Sequence, residues 1–356
     1  MNLEKTLSAA AAEQPLGQSI NSYDYSTGGT DLGGIAVSIT TRNDLQGRPE
    51  IAVSQAGLTY EDVRKAKAVA GLALSRLSPK TALALGFSES GKALAQRLAG
   101  QSGASFLAAR DPMTRTGFQA TGNSSLAIRH SIAGLGFTMT AERGAVGRPG
   151  AARFDDEAYT ISSLTADGRL GPAQWSLGIS RLREEKTVLG GRFSEAYSAG
   201  GSTSNFADAS LQLPLGAGWD ALASYRFGRT AMGGTGALSK GGRLSSDAFS
   251  FDLVRRGAFD PTDQLAFRVT QPLRVRSGGY ALNVPVSYDY ATGAVGYEAR
   301  LLSLAPTGRE IDYEVAYGVA FLNGYLGLNA FLRTEPGHVD ANKDDKGAAV
   351  KVRLSF

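Results

Sequence analysis

From about residue 134 to the end of the chain, apolar and polar positions alternate with a period of two. The clearest stretch is Ile311–Phe321, where every odd position is large and apolar and every even position is acidic or small. Such alternation is typical of a strand whose two faces meet different surroundings. It predicts about twelve strands of about ten residues, as transmembrane barrels require. They lie near 134–141, 158–166, 173–183, 205–213, 220–228, 246–256, 263–275, 280–290, 293–304, 310–322, 324–333 and 348–356.

The part before residue 132 has a mixed pattern. Residues 35–39 and 50–53 predict a short hairpin, and residues 60–77 have the spacing and end charges of a helix. An apolar strand is predicted at 82–87 and a shorter helix at 90–98. The chain therefore divides into a linker and hairpin region at 1–59, a plug segment at 60–131 that partly fills the lumen, and an outer-membrane barrel at 132–356.

The predicted connections differ in length between the two ends of the strands. Four long polar loops fall on one side, at 142–157, 184–204, 229–245 and 334–347. Most links on the other side are short, although 276–279 and 305–309 are short links on the long-loop side. Long loops outside and short turns in the periplasm are typical of transmembrane barrels. The fold class predicted is therefore all-β, an antiparallel transmembrane barrel.

Composition supports this class and excludes others. The mean hydropathy is −0.13 and the sequence has no run of eighteen apolar residues, which excludes a spanning helix. The chain has no cysteine, so thiolate metal sites and cysteine nucleophiles are excluded. A formal charge of +4 from 37 basic and 33 acidic residues is too balanced for a nucleic-acid binder. A soluble β-sandwich would also alternate, but it would need a second sheet to cover every apolar face.

Charged residues on the polar side of the predicted strands have both signs. These lumen charges are Asp208, Arg226, Asp252, Arg268, Asp289, Glu298, Arg300, Asp312, Glu314, Lys351 and Arg353. Opposite charges on facing walls can pair across the bore. They favour a filled or narrow lumen over an open selective pore.

The last strand carries a pattern with a known counterpart. After a polar residue come Gly347, Val350, Val352, Leu354 and the terminal Phe356. This resembles the assembly signal of autotransporter barrels, the translocators of type V secretion. Residues 2–7, 107–110, 267–273, 286–290 and 304–310 are similar to the C-terminal region of subtilisin-like (S8) autotransporter peptidases of α-proteobacteria.

The resemblance implies an outer-membrane anchor and translocator that helps to export an N-terminal passenger peptidase. Its partners would be outer-membrane lipids and lipopolysaccharide, the barrel assembly machinery and its own passenger, with no nucleic acid, nucleotide or cofactor. The S8 motifs are missing from this sequence, so we expect no peptidase triad, no catalytic or metal site, and no enzyme. The N-terminus is not a signal peptide, and we therefore expect the chain to be a fragment of a longer protein. The alternative is a free-standing barrel that acts as a narrow porin or as a hydrolase with a site in its outer loops.

Two motifs offer other chemistry. Residues 86–93 match G-x-x-x-x-G-K between a strand and a helix, as in a phosphate-binding loop, but Ala93 replaces the hydroxyl that would hold Mg²⁺. A turn that caps a plug helix is the better interpretation. His338 lies with Glu335 and Asp340 in an outer loop, where a surface-loop hydrolase could use it, although a solvated polar loop explains these residues as well.

Overall fold

The structure is a computed structural model that describes residues 23–31, 35–44, 66–100, 106–114, 117–118, 120–146, 157–193, 200–234, 239–321 and 324–354. Within these residues, sixteen strands form one antiparallel sheet, and each strand of the main path pairs with its neighbours in chain order. No helix among the described residues is long and apolar enough to cross a membrane.

The sheet contains more strands than the sequence predicts, because it begins well before residue 132. The first five strands are β1 (Tyr23–Asp31), β2 (Ile35–Asp44), β3 (Ala66–Ser78), β4 (Thr81–Phe87) and β5 (Ala120–Ile132), with helix α1 (Gly91–Leu98) between β4 and β5. They continue as β6 (Leu135–Val146), β7 (Glu157–Leu170) and β8 (Ala173–Glu184). A two-stranded hairpin of β9 (Thr187–Val188) and β10 (Gly191–Arg192) lies outside the sheet.

The second half of the sheet follows in the same order. Its strands are β11 (Ser202–Gly216), β12 (Trp219–Met232), β13 (Ser239–Arg256), β14 (Gln264–Tyr288), β15 (Val295–Ser303), β16 (Ile311–Phe321), β17 (Gly324–Thr334) and β18 (Asp345–Leu354). β15 departs from the path and pairs with the distal part of β14, whereas β16 pairs with residues 264–270 of the same strand. A short 3-10 turn, Pro336–His338, lies between β17 and β18.

Three sequence predictions are wrong in their local structure. Residues 60–77 were predicted as a helix, but residues 66–78 are strand β3, which pairs with β2 and β4. The turn predicted at 276–279 is part of the continuous strand β14. The predicted hairpin arm 35–39 pairs with β1 and β3, and its other arm, 50–53, lies outside the described residues. The strand at 82–87 and the helix at 90–98 are confirmed.

The sheet buries polar side chains on one face and exposes apolar side chains on the other, which is the opposite of a soluble protein. On one face, Ile128, Met139, Leu164 and Ile179 are cross-strand neighbours from β5 to β8 and are 41–62% exposed. On the other, which we call the inner face, Thr138 and Glu142 of β6 are buried at 0% and 5% exposure. A soluble protein would bury the first set and expose the second. An apolar exterior around a polar interior is the arrangement that a barrel in lipid requires.

Buried hydroxyl groups on the inner face form hydrogen bonds with one another across neighbouring strands. Three such pairs follow the strand register at 2.6–2.8 Å: Thr140 with Ser163, Ser204 with Thr230, and Ser224 with Ser250. Because an unpaired buried hydroxyl costs about 1–3 kcal/mol, these pairs allow a polar face to be buried without penalty.

The connections agree with the predicted difference between the two ends. β5 and β6 are joined by the two residues Ala133 and Gly134, both with positive φ, as a tight hairpin turn requires. The longer connections, including residues 88–119 between β4 and β5, leave the opposite end of the strands. We call this the long-loop end.

Candidate functional site: an inner segment on the polar face

The connection between β4 and β5 folds onto the inner face of the sheet. We call its described residues within 88–118 the inner segment. Helix α1 begins after Ser90, whose hydroxyl caps it by accepting the N–H of Ala93. Leu94 and Leu98 of α1 pack in one buried cluster with Leu72 and Leu74 of β3 and with β4 and β5 residues. Apolar contact thus holds one side of this helix.

A buried carboxylate occupies the N-terminus of α1. Glu142 of β6 accepts the N–H of Gly91 at 2.8 Å and the hydroxyl of Tyr159 at 2.7 Å. An anion is favoured there because the first N–H groups of a helix carry partial positive charge. In the G-x-x-x-x-G-K match, this is the place that a phosphate would take, and in this chain Glu142 takes it.

An ion-pair network connects α1 to the middle of the sheet. Lys92 pairs with Asp208 of β11, and Asp208 also accepts from Arg226 of β12 at 2.7 Å. Arg226 donates in addition to the carbonyl of Met113 at 2.9 Å. Two parts of the inner segment thus share one pair of strands.

The far end of the inner segment is held by Glu314 of β16. Its carboxylate is fully buried and accepts three consecutive N–H groups, from Leu107, Ala108 and Ala109, at 2.6–2.8 Å. The side-chain amide of Asn329 donates to it as well. Hydrogen bonds to a charged acceptor contribute about 1.5–3 kcal/mol each, so this is a strong anchor.

Arg268 of β14 completes that anchor. Its guanidinium forms two hydrogen bonds with the buried Asp252 of β13 and donates to the carbonyl of Ala109 at 3.1 Å. It also lies 4.2 Å from the centre of the Phe106 ring. Such a bidentate, stacked contact uses the planar group of arginine and would be lost with lysine.

These contacts require the sheet to curve. Leu94 packs on β4, and Ala109 binds β16, which lies nine strands further along the sheet. In a flat sheet, β4 and β16 would be about 43 Å apart. The inner segment is too compact for that distance, because Ser90 donates to the carbonyl of Thr114 and residues 111–114 form a tight turn. The sheet therefore curls around the inner segment, with its polar face inside.

A cavity of about 20 Å³ lies between α1 and the sheet, against Lys92, Glu142 and Arg226, with room for about one water molecule.

The structure separates the predicted lumen charges into three groups. Asp208, Arg226, Asp252, Arg268, Asp312 and Glu314 lie on the inner face, and all but Asp312 are parts of the anchors above. Glu298 and Arg300 form an exposed ion pair on β15, and Asp289 accepts N–H groups in the turn before that strand. Lys351 and Arg353 lie on β18.

The predicted assembly signal lies on the last described strand. Gly347 packs closely against the ring of Phe331, Val350 and Val352 are exposed on the outer face, and Leu354 ends β18. Phe356 lies outside the described residues. Val350 and Val352 suit an apolar outer face, and the role in assembly stays a prediction.

His338 is used in a loop contact. Its Nδ1 accepts the N–H of Glu310 at 2.9 Å, and its Nε2 lies 3.2 Å from the carbonyl of Leu273, to which it donates. Glu335 accepts the N–H of Arg309, and Asp340 accepts the hydroxyl of Thr307. The three side chains of the hypothetical hydrolase site therefore each hold a different loop contact. Among the described residues, no group of histidine and acidic side chains has the geometry of a metal site.

Lys92 and Glu142 are interior charges that the sequence pattern did not predict. Glu142 follows Gly136, Thr138 and Thr140 at alternate positions, so the alternation could have found it had the first strand been extended beyond residue 141. Lys92 gave no such signal, because its partner Asp208 is distant in sequence.

Comparison with known proteins gives a likeness in fold only. No protein-family model matches the chain, and no curated protein sequence matches it. Among solved structures, a loop L8 deletion mutant of OmpT, an outer membrane protein of Vibrio cholerae, has a TM-score of 0.48 at 8% identity and covers 93% of this chain and 89% of its own. OprB of Pseudomonas putida has a TM-score of 0.47 at 12% identity, covering 90% of this chain and 83% of its own.

These findings correct one expectation and leave another untested. The expectation that the chain is not an enzyme does not stand, because the missing S8 motifs exclude one peptidase mechanism only. The relation to S8 autotransporters stays a prediction. The apolar outer face agrees with the predicted localisation in the bacterial outer membrane.

Proposed function

We propose that the protein is a diffusion channel of the outer membrane for small polar solutes, and that the inner segment sets the width of its bore. The observation that carries this proposal is the anchoring of one internal connection to opposite parts of a curled sheet, by Glu142 at one end and Glu314 at the other. A segment fixed on both sides narrows a polar interior without an additional domain.

The position of the inner segment in the chain favours this function over translocation. In the translocator hypothesis, the segment within the bore precedes the first strand and leads out to the passenger. Here the inner segment joins β4 to β5, and these two strands pair with each other. A passenger would have to share the bore with the inner segment, so translocation remains a prediction from the resemblance alone.

Conductance of the full chain in planar lipid bilayers tests the proposal. We expect a small, steady conductance for the wild type. Glu314→Gln keeps the size of the side chain but leaves three N–H groups to a weaker acceptor, so the conductance should become larger and noisier. Glu185→Gln is the matched control, because the side chain of Glu185 is exposed, and it should behave as the wild type.

Two outcomes would contradict the channel. One is a folded wild type with no conductance at any voltage. The other is a Glu314→Gln variant with the same conductance and noise as the wild type.

A further inference from the structure

The end of the β14–β15 hairpin extends beyond the part of β14 that crosses the membrane. A strand crosses the hydrocarbon region in about 9–11 residues. β14 begins at Gln264 next to a short connection, so its crossing ends near Arg274. β15 pairs with residues 279–288 of β14, which therefore lie past the membrane on the long-loop side.

This hairpin exposes apolar side chains where no lipid covers them. Val286, Tyr297 and Leu301 are 50%, 57% and 67% exposed, and Tyr288 and Tyr290 contact each other at the tip. Eight of the nine residues of β15 are exposed. Beyond Leu282, β13 no longer pairs with β14, and the hairpin there has two strands only. A two-stranded hairpin is at best marginally stable in water, so exposed apolar side chains on it indicate a partner.

β15 also has an open edge. Within the described part of the chain, β14 is its only strand partner, so its other side offers backbone N–H and C=O groups for pairing. The strand contains no proline and no lysine, the residues that commonly protect such edges.

The sequence of β15 is complementary to itself in the antiparallel direction. If two copies pair with Ala299 opposite Ala299, each Glu298 faces an Arg300 of the other copy. The same register sets Tyr297 opposite Leu301. In the single chain, Glu298 and Arg300 already form an ion pair at 3.1 Å on one side of the strand. In the paired strands, the two glutamates and two arginines of both copies would therefore form one cluster. Opposite charges and aromatic pairs across an antiparallel ladder are stabilising, and like charges are destabilising.

We propose that β15 is a homotypic docking strand, through which two copies of this protein join edge to edge on the long-loop side of the membrane. The proposal is independent of conductance, because none of the inner-segment anchors lies on β15.

Charge reversal on the full chain tests the docking strand. Arg300→Glu gives an edge with two acidic side chains, and Glu298→Arg gives an edge with two basic ones. In detergent, sedimentation velocity should show a wild-type dimer and, for each variant alone, association weakened at least about tenfold, the effect of about 1.4 kcal/mol. Circular dichroism checks that both variants keep their strand content.

Mixing the two variants gives the decisive result. Each acidic edge then faces a basic one, so the mixture should form heterodimers as strongly as the wild type pairs with itself. An ion pair that acts only within one chain cannot produce this rescue. A monomeric wild type, single variants that associate normally, or a mixture that associates no better than its components would each overturn the proposal.

Discussion

The two ends of the inner segment are held by different physical means. Helix α1 rests on the apolar residues Leu72 and Leu74 of β3, and Glu142 accepts one N–H group of its first turn. Residues 106–109 instead contact Arg268 and give three N–H groups to Glu314. Apolar contact is non-directional and tolerates small shifts, but a buried carboxylate that accepts three N–H groups fixes one geometry. The difference suggests that apolar packing places α1 on the sheet and that Glu314 fixes the position of residues 107–109 on the inner face.

Loss of the buried arginine should have the largest effect. Arg268→Met leaves Asp252, which is 1% exposed, without its partner, and a buried charge deprived of its partner costs about 3–5 kcal/mol. We expect that loss in the free energy of unfolding, measured by denaturant titration in detergent. Lys186→Met, at an ion-paired side chain that is 63% exposed, is the control and should cost less than about 1 kcal/mol. Equal losses in the free energy of unfolding would show that the buried ion pair contributes no more to stability than an exposed one.

Truncation at the apolar end should be less severe. Leu94 is fully buried, and Leu94→Ala should cost about 2–4 kcal/mol through lost burial and the cavity left behind. Hydrogen exchange at α1 should increase, while the amides of residues 107–109 stay protected. Leu85→Ala on the outer face of β4 is the control, because detergent or lipid can fill the space. Simultaneous loss of protection at both ends would contradict the separation of the two anchors.

Acid should weaken a polar contact of the long loops and leave the apolar end unchanged. Burial of His338, more than the nearby charge of Arg274, lowers its pKa below the ordinary value. Since the neutral ring is favoured in the folded chain, its contribution to stability is present above pH about 6.5 and decreases as the pH falls below it. Protonation removes the acceptor Nδ1, so the Glu310 amide should exchange faster at pH 5.5 than at 7.5 after correction for intrinsic rates.

Two histidine variants check this prediction. His338→Gln can still donate and accept but does not titrate, and it should remove the pH dependence. His130→Gln, at the other histidine, should leave the pH dependence intact. Persistence of the acid effect in His338→Gln would assign it to other groups.

The smallest effect is expected at a turn remote from both anchors. Ala133 has a φ of 51°, a left-handed conformation that costs an L-residue about 1–2 kcal/mol. Ala133→Gly should therefore stabilise the chain by up to about 1 kcal/mol, since part of the gain is offset by the flexibility of glycine. Thermal unfolding in detergent measures it, and a decrease in stability would contradict the turn geometry. Exchange at both ends of the inner segment should not change.

The sequence predicted the second half of the fold better than the first, and the reason lies in the two faces of each strand. From β6 onward most strands have lipid outside and polar groups inside, so their alternation is visible. β3 and β4 are apolar on both faces, because Leu72 and Leu74 lie under α1 while Leu77, Leu85 and Phe87 face outward. Without alternation, the alanine-rich segment 66–78 has the pattern of a helix, and pairing with β2 and β4 overrides that local preference.

The charged site was predictable only as a set of positions. Alternation placed Asp252, Arg268 and Glu314 on the polar side of their strands, but it could not give their partners. The main-chain groups of residues 107–109 come from a connection about 205 positions away from Glu314. No local pattern encodes a contact at that separation.

The sequence by itself determined that this chain forms long antiparallel strands with an apolar side and a polar side, because the period-two pattern is a property of each strand alone. Only the tertiary structure decided that the sheet begins before residue 132, that β14 is one long strand, and that the connection after β4 turns inward. These outcomes depend on the pairing of distant strands and on buried charges that must find partners. Each outcome depends on several segments together, so no single segment determines it.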